Sequence, residues 1–343
     1  MGGGPVLVAA VPTGALVAAF VAAAAVSLLA SGVLVVRLER LGASLGLSEA
    51  MLGMVAALAA NGPEITSAVT ALLRHERRIG AGVVLGSNAF NLAALLGLGA
   101  VVAGTVHLHR RVVVLAGGVS LWLALCALGG VGTGGRPWAA LVGALVVVVP
   151  YLAVSAAPGA ALRRGVPPPV ARWLRQAVSE EELELLPAVH PRPGGRRRAL
   201  EAAGALAVVI AASAVMEATA ATFGSRSGLS AVVTGAVVLA AVTSLPNAVA
   251  ALYLARRGRG AAVLSTALNS NNLNVVLGLL VPGTAVGLGA ADAGGLATAG
   301  FAVGLTALVC VLAFRHGRLT RLQGVGVLAG YAGFLVTAAV VGG

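Results

Sequence analysis

The chain has 343 residues, of which 59% are hydrophobic and only 10% charged, with a net charge of +12. A soluble domain carries about 25% charged residues, and a mean hydropathy of +0.98 leaves too little polar surface for one; an ordinary water-soluble enzyme is excluded and a multi-span membrane protein is expected. The positive charge does not indicate a nucleic-acid partner, because all 23 basic residues are arginines clustered in short segments between apolar runs, where membrane topology places them.

The first residues, MGGGPVLVAA, lack a basic n-region and the Ser or Thr of an acylation signal, so neither a cleaved leader nor a myristoyl anchor is expected. A helix crosses the hydrocarbon core with about 20 apolar residues. Ten such runs occur, at 6–36, 49–73, 79–103, 112–131, 137–157, 199–223, 229–255, 260–282, 294–314 and 321–341. None alternates with period two, so helices are expected rather than a barrel. The first run is long enough to imply a strong tilt.

Ten spans place both termini on one side. Arg37 and Arg40, Arg110 and Arg111, eight arginines of the central segment, Arg256, Arg257 and Arg259, and Arg315, Arg318 and Arg321 then share one face, eighteen in all. Arg74, Arg77, Arg78, Arg136 and Arg226 share the other. That bias puts the arginine-rich face in the cytoplasm of a plasma-membrane protein and both termini outside it.

The central segment 158–198 differs in composition. It holds three prolines at 167–169, the carboxylates Glu180, Glu181, Glu182 and Glu184, and the run Arg196–Arg198. It reads as a polar cytoplasmic linker with one short surface helix around 169–186. The carboxylates lack the spacing of an EF-hand. Cys126 and Cys310 lie far apart in apolar runs with no CxxC, so they read as core residues rather than a disulfide or zinc site.

The two flanking segments, 1–157 and 199–343, resemble each other. Asn61-Gly62-Pro63-Glu64 lies towards the end of span 2, and Gly86-Ser87-Asn88-Ala89-Phe90-Asn91 lies in span 3. Thr243-Ser244-Leu245-Pro246-Asn247 lies in span 7, and Asn269-Ser270-Asn271-Asn272-Leu273-Asn274 in span 8. Glu64 to Ser87 and Asn247 to Ser270 are both 23 residues, and Pro63 to Pro246, Ser87 to Ser270 and Asn91 to Asn274 are all 183. The approaches match as well, Gly46-Leu47-Ser48 and Gly228-Leu229-Ser230. Five spans per unit reverse the second copy in the membrane, which gives an all-α fold of ten helices in two inverted five-helix repeats.

Such repeats place a substrate site near the midplane and supply two near-equivalent packings for alternating access. Pro63 and Pro246 each interrupt a helix beside polar side chains, and the carbonyls they free are expected to serve as cation ligands. Ser87 and Asn91 share one helix face, as do Ser270 and Asn274. Hydroxyl, amide and carboxylate oxygens suit hard cations, and no histidine lies in a span. Helix-to-helix glue is the competing reading of such residues. A repeated constellation that includes Glu64, a carboxylate inside the membrane, favours an ion site.

At these residues the sequence resembles the calcium/cation antiporter superfamily, which includes the sodium/calcium exchangers and carries paired G-T-S-x-P-E and G-S-N-x-x-N motifs. The second motif stands intact at Gly86–Asn91. The resemblance implies a cation site of Glu64, Ser87 and Asn91 with Thr243, Ser244, Asn247, Ser270 and Asn274, and two long tilted helices, spans 1 and 6, that slide across a core bundle. It implies transported cations, Na⁺ and Ca²⁺, in place of any cofactor.

Departures from that pattern bear on the cargo. Asn61 stands in a first motif that lacks the Thr-Ser pair, and Asn247 and Asn274 stand where the family has acidic residues. One ionised glutamate balances one monovalent charge. A divalent ion there would leave about one uncompensated charge, costing several kcal/mol in a poorly hydrated site. Glu217 in span 6 either adds a second carboxylate by facing the core or is a polar residue beside Arg226. A buried carboxylate can also carry a proton, so Na⁺ or K⁺ against H⁺ is the alternative to sodium/calcium exchange. A cation channel or a non-transporting membrane protein are the rivals of another class; no catalytic constellation is present, so no enzyme is expected.

Overall fold

The computed structural model describes residues 11–44, 58–156, 166–185 and 196–341. The described residues are helical apart from turns and two three-residue strands. In chain order the helices are α1 (Thr13–Ser44), α2 (Gly62–Leu73), α3 (Arg77–Ala103), α4 (Arg110–Thr133), α5 (Trp138–Ala156) and α6 (Pro168–Leu185). The second half continues with α7 (Arg196–Arg226), α8 (Ala231–Thr243), α9 (Leu245–Arg256), α10 (260–286), α11 (Ala293–His316) and α12 (Arg321–Val341).

Seven of these are long and apolar enough to cross a membrane: α1, α3, α4, α5, α7, α11 and α12. The pair α8 and α9, bent by 51°, makes an eighth if taken as one span. The two other expected spans differ for separate reasons. Residues 49–57 of the second lie outside the described residues. The eighth, α10, is helical throughout, but its asparagines dilute the hydropathy that marks the rest. The surface helix expected around 169–186 is α6.

Helix packing relies on small residues, because lipid offers no hydrophobic drive for helices to associate. Gly86 of α3 lies so close to α8 that a Cβ would fall 2.2 Å from the carbonyl oxygen of Ala236. Gly235 meets the Ile79 carbonyl in the same way, at 2.3 Å. Beside a small apolar cluster of Leu34, Ala59, Ala202 and Ala205, two large ones result. One contains Leu72, Val83, Leu85, Leu123 and Leu279; the other contains Leu92, Leu96, Leu264, Leu268 and Phe334. On α3 and α10 the polar stretches 86–88 and 269–274 fall where one cluster gives way to the other.

Irregularities recur at corresponding places. α3 winds into a π-helix over Leu92–Leu98, directly after its asparagine motif, and α10 does so over Asn274–Leu280. Such segments frequently accompany functional sites. The strand β1 (Thr105–His107), just after α3, pairs antiparallel with β2 (Arg318–Thr320), the turn between α11 and α12. The stretch just after α10 meets the α4–α5 turn likewise: Leu288 N–H donates to Gly135 at 2.6 Å, and Gly135 N–H donates to Gly289 at 2.8 Å.

Some of the arginines form contacts at the two ends of the bundle. At the β1–β2 end, Arg110 donates to the Arg315 carbonyl at 3.1 Å, and Arg111 pairs with Glu180 of α6. At the other end, Arg77 donates to the Val286 carbonyl at 3.1 Å and Arg78 pairs with Asp292 at 3.1 Å. Both cysteines are free, as expected.

Candidate functional site

Asn61 interrupts the helical run ahead of α2, and Pro63 occupies its first turn. Proline cannot donate to the carbonyl four residues back, here that of Ala59. Ser31 of α1 fills the gap, its hydroxyl donating to the Ala59 oxygen at 2.9 Å. This corrects the expectation for that carbonyl: it is occupied by a neighbouring helix rather than turned to a ligand. In the second half the bend between α8 and α9 falls at Ser244, just before Pro246.

The two breaks face each other. The Glu64 carboxylate, 1% exposed, accepts at Oε1 from the Ser244 hydroxyl at 2.8 Å and from the Asn247 amide at 3.2 Å. Asn247 also donates to Asn61 Oδ1 at 3.0 Å. Since 61 corresponds to 244 and 64 to 247, the contacts 61–247 and 64–244 are the same contact made twice. The asparagine motifs repeat the arrangement. Asn88 donates to the Asn271 carbonyl at 3.3 Å while Asn271 donates to the Asn88 carbonyl at 3.0 Å. Asn91 donates to Asn271 Oδ1 at 3.1 Å, and Asn274 to Asn88 Oδ1 at 3.4 Å. Reciprocal contacts of this kind are what a two-fold relation produces.

The two groups lie at one depth. α2 and α3 run antiparallel across the 74–76 turn, packing Gly80 on Leu72 and Ala68. α3 and α10 are antiparallel too, since Asn88 meets Asn271 while Val84 meets Gly278. α2 and α10 therefore run side by side in the same direction, with Gly278 against Ile65 and Ala68. Asn274, one turn before Gly278, comes level with Asn61–Glu64. Asn91 takes the matching place beside α9, for Leu95 one turn beyond it shares an apolar cluster with Ala248 and Ala251.

Asn61, Glu64, Ser87, Asn91, Thr243, Ser244, Asn247, Ser270 and Asn274 are all buried. Thr243 donates back to the Leu239 carbonyl of its own helix at 2.9 Å. Glu217 lies apart from Glu64. It is buried on α7, but its carboxylate pairs with Arg74 at 2.8 Å, ten residues beyond Glu64 along the chain and about 15 Å along a helix. Arg226, its expected neighbour, instead donates to the Val11 carbonyl at 2.6 Å.

Several oxygens in this region are buried without a hydrogen-bond partner among the described residues: Glu64 Oε2, Ser67 Oγ, Ser87 Oγ, Asn91 Oδ1 and Asn274 Oδ1. An unsatisfied polar atom in hydrocarbon costs several kcal/mol, and so many acceptors at one depth match the demand of a hard cation for oxygen. No cluster of three His, Cys, Asp or Glu residues occurs among the described residues. Sequence reasoning overlooked Ser67; its spacing of three from Glu64 was the available signal.

Comparison with known proteins agrees with this geometry. The sodium/calcium exchanger protein family matches residues 15–158 and 200–340. No curated protein sequence matches the chain. Among solved structures, the sodium-calcium exchanger NCX_Mj, soaked with 2.5 mM Na⁺ and 0.1 mM Sr²⁺, is similar with a TM-score of 0.60 at 20% identity, covering 95% of this chain and 99% of that one. The H⁺/Ca²⁺ exchanger CAX is similar with a TM-score of 0.66 at 12% identity, covering 94% of this chain and 86% of that one. At these identities the likeness establishes the fold. Taken with the family match over both halves, it makes this chain an integral, multi-pass member of the sodium/calcium exchanger family within the calcium/cation antiporter superfamily.

Proposed function

We propose that the chain is a secondary active cation antiporter of the sodium/calcium exchanger type, working by alternating access at a midplane site between two inverted five-helix repeats, 1–157 and 199–343, joined by the linker 158–198. The observation that carries the proposal is the group of unpartnered buried oxygens around Glu64. The reciprocal contacts 61–247 with 64–244, and 91–271 with 274–88, support the inverted repeat. The arginine distribution supports a plasma-membrane protein with its linker in the cytoplasm and both termini outside.

The ligands in this proposal are Glu64, Ser87, Asn91, Thr243, Ser244, Asn247, Ser270 and Asn274, with Asn61 holding Asn247 in place. Glu64 provides the charge, and the amides and hydroxyls replace the hydration shell. The cargo is inorganic cations. A second reading, Na⁺ or K⁺ against H⁺, is favoured by one observation: Arg74 holds Glu217, which leaves Glu64 as the one carboxylate for the ion among the described residues.

Radiotracer uptake by the purified chain in proteoliposomes, under imposed Na⁺, K⁺, H⁺ and Ca²⁺ gradients, tests both readings. Uptake that requires a counter-cation supports exchange, and the counter-cation separates the two cargoes. Uptake without one indicates a channel, and no uptake under any gradient overturns the proposal.

A further inference from the structure

Most hydroxyls buried in the helices of this protein are bonded in one of two ways. Thr219, Thr243, Thr298 and Thr306 return the proton to the carbonyl four residues back, at 2.7–2.9 Å. Ser31, Ser120 and Ser244 bond across to another helix. Ser67 and Ser87 are fully buried and do neither. Ser87 belongs to the asparagine motif. Ser67 lies outside every motif, three residues past Glu64 and so one turn along a neighbouring face of α2.

The carboxylate beside it is half used. Glu64 Oε1 takes two hydrogen bonds, while Oε2 has no partner among the described residues. An unpartnered carboxylate oxygen and an unpartnered hydroxyl thus stand one helical turn apart; the hydroxyl is a donor as well as an acceptor, yet it does not bond the carboxylate, so each oxygen lacks a partner. A cation supplies it for both, since a carboxylate oxygen and a hydroxyl oxygen are both ligands for a hard ion.

The second half offers no equivalent. The position 183 residues on from Ser67 is Ala250, which has no side-chain oxygen, and the counterpart of Glu64 is Asn247. The charge and the hydroxyl that has no counterpart therefore lie on the same repeat. We infer that Ser67 is a cation-contacting residue, and that the ion sits on the α2 side of the pseudo-two-fold, between Glu64 Oε2 and Ser67 Oγ. The inference rests on the antiporter reading and adds a ligand to its site.

The test uses the full chain in proteoliposomes, with the half-saturating concentrations of Na⁺ and Ca²⁺ in tracer exchange as the readout. Ser67→Ala is expected to raise the half-saturating concentration about tenfold, as for loss of a contact to a charged group, with the maximal rate within about twofold of wild type. Ser67→Thr keeps the oxygen and is expected to restore the wild-type value. Ser67→Cys places a soft ligand beside a carboxylate and is expected to confer block by Cd²⁺ that transported cations relieve, with the wild type as control for Cys126 and Cys310. Should Ser67→Ala fail to fold, the Thr and Cys variants carry the test. If wild type exchanges, Glu64→Gln does not, Ser67→Ala saturates as wild type and Ser67→Cys ignores Cd²⁺, the Ser67 assignment alone is overturned. If wild type exchanges nothing, both readings fall.

Discussion

The two copies of the polar motif share a backbone and differ in charge. In the first, Pro63 is followed by Glu64; in the second, Pro246 is followed by Asn247. Both breaks are stabilised by the same crossed contacts, and both asparagine motifs run into a π-helix. The difference separates two requirements. Building the site takes amides and hydroxyls that bond reciprocally across the halves, which Asn can do as well as Glu. Holding a cation takes net negative charge, and one copy supplies it.

The largest effect that breaks this asymmetry is expected from Glu64→Gln. The amide oxygen can still accept from Ser244 and Asn247, so the chain should fold, while tracer exchange in proteoliposomes falls at least a hundredfold. Retained exchange would remove Glu64 from the site.

Next is Arg74→Ala, which strands the buried Glu217 carboxylate. Because the Arg74 side chain is 46% exposed, the loss should be below that of a fully buried pair, roughly 2–3 kcal/mol. Pairing it with Glu217→Gln should recover most of the loss, read as thermal stability in detergent. Equal stability of the single and double variants would show that the pair is not coupled.

Asn247→Glu tests the comparison from the other side by giving the second copy the charge of the first. A second carboxylate should favour divalent over monovalent cargo by about tenfold in competition, provided the linkage Asn247 makes to Asn61 survives. The smallest effect is expected at Ser31→Ala, which leaves the Ala59 carbonyl unpaired and should cost roughly 1 kcal/mol with exchange retained.

Much of this was legible in the sequence because hydropathy and spacing are local. The apolar runs foretold α3, α4, α5, α7, α11 and α12 closely, and the 183-residue offset pointed to the residues that pair across the halves. α10 reads as an apolar run at 260–282 although its asparagines lower its hydropathy below that of the other spans, and its motif matches that of α3. What escaped were partnerships set only by packing. The partner of Glu217 is Arg74, 143 residues earlier, and no spacing rule connects them. The carbonyl released by Pro63 was expected to face an ion, but α1 lies close enough for Ser31 to take it. The strands at 105–107 and 318–320 are too short for any pattern to announce. Ser67 escaped because the repeat directed attention to positions present twice.

The mutual bonding of Asn88 and Asn271 has a consequence for how such a molecule can originate. If both halves descend from one five-helix unit, these two side chains were once a single residue touching its own image in an oppositely inserted copy. An interface of that kind is invented by one substitution rather than two. Joining the copies into a single polypeptide then released each asparagine to drift without the other, and the same release lets the residue after each proline differ, Glu64 in one half and Asn247 in the other.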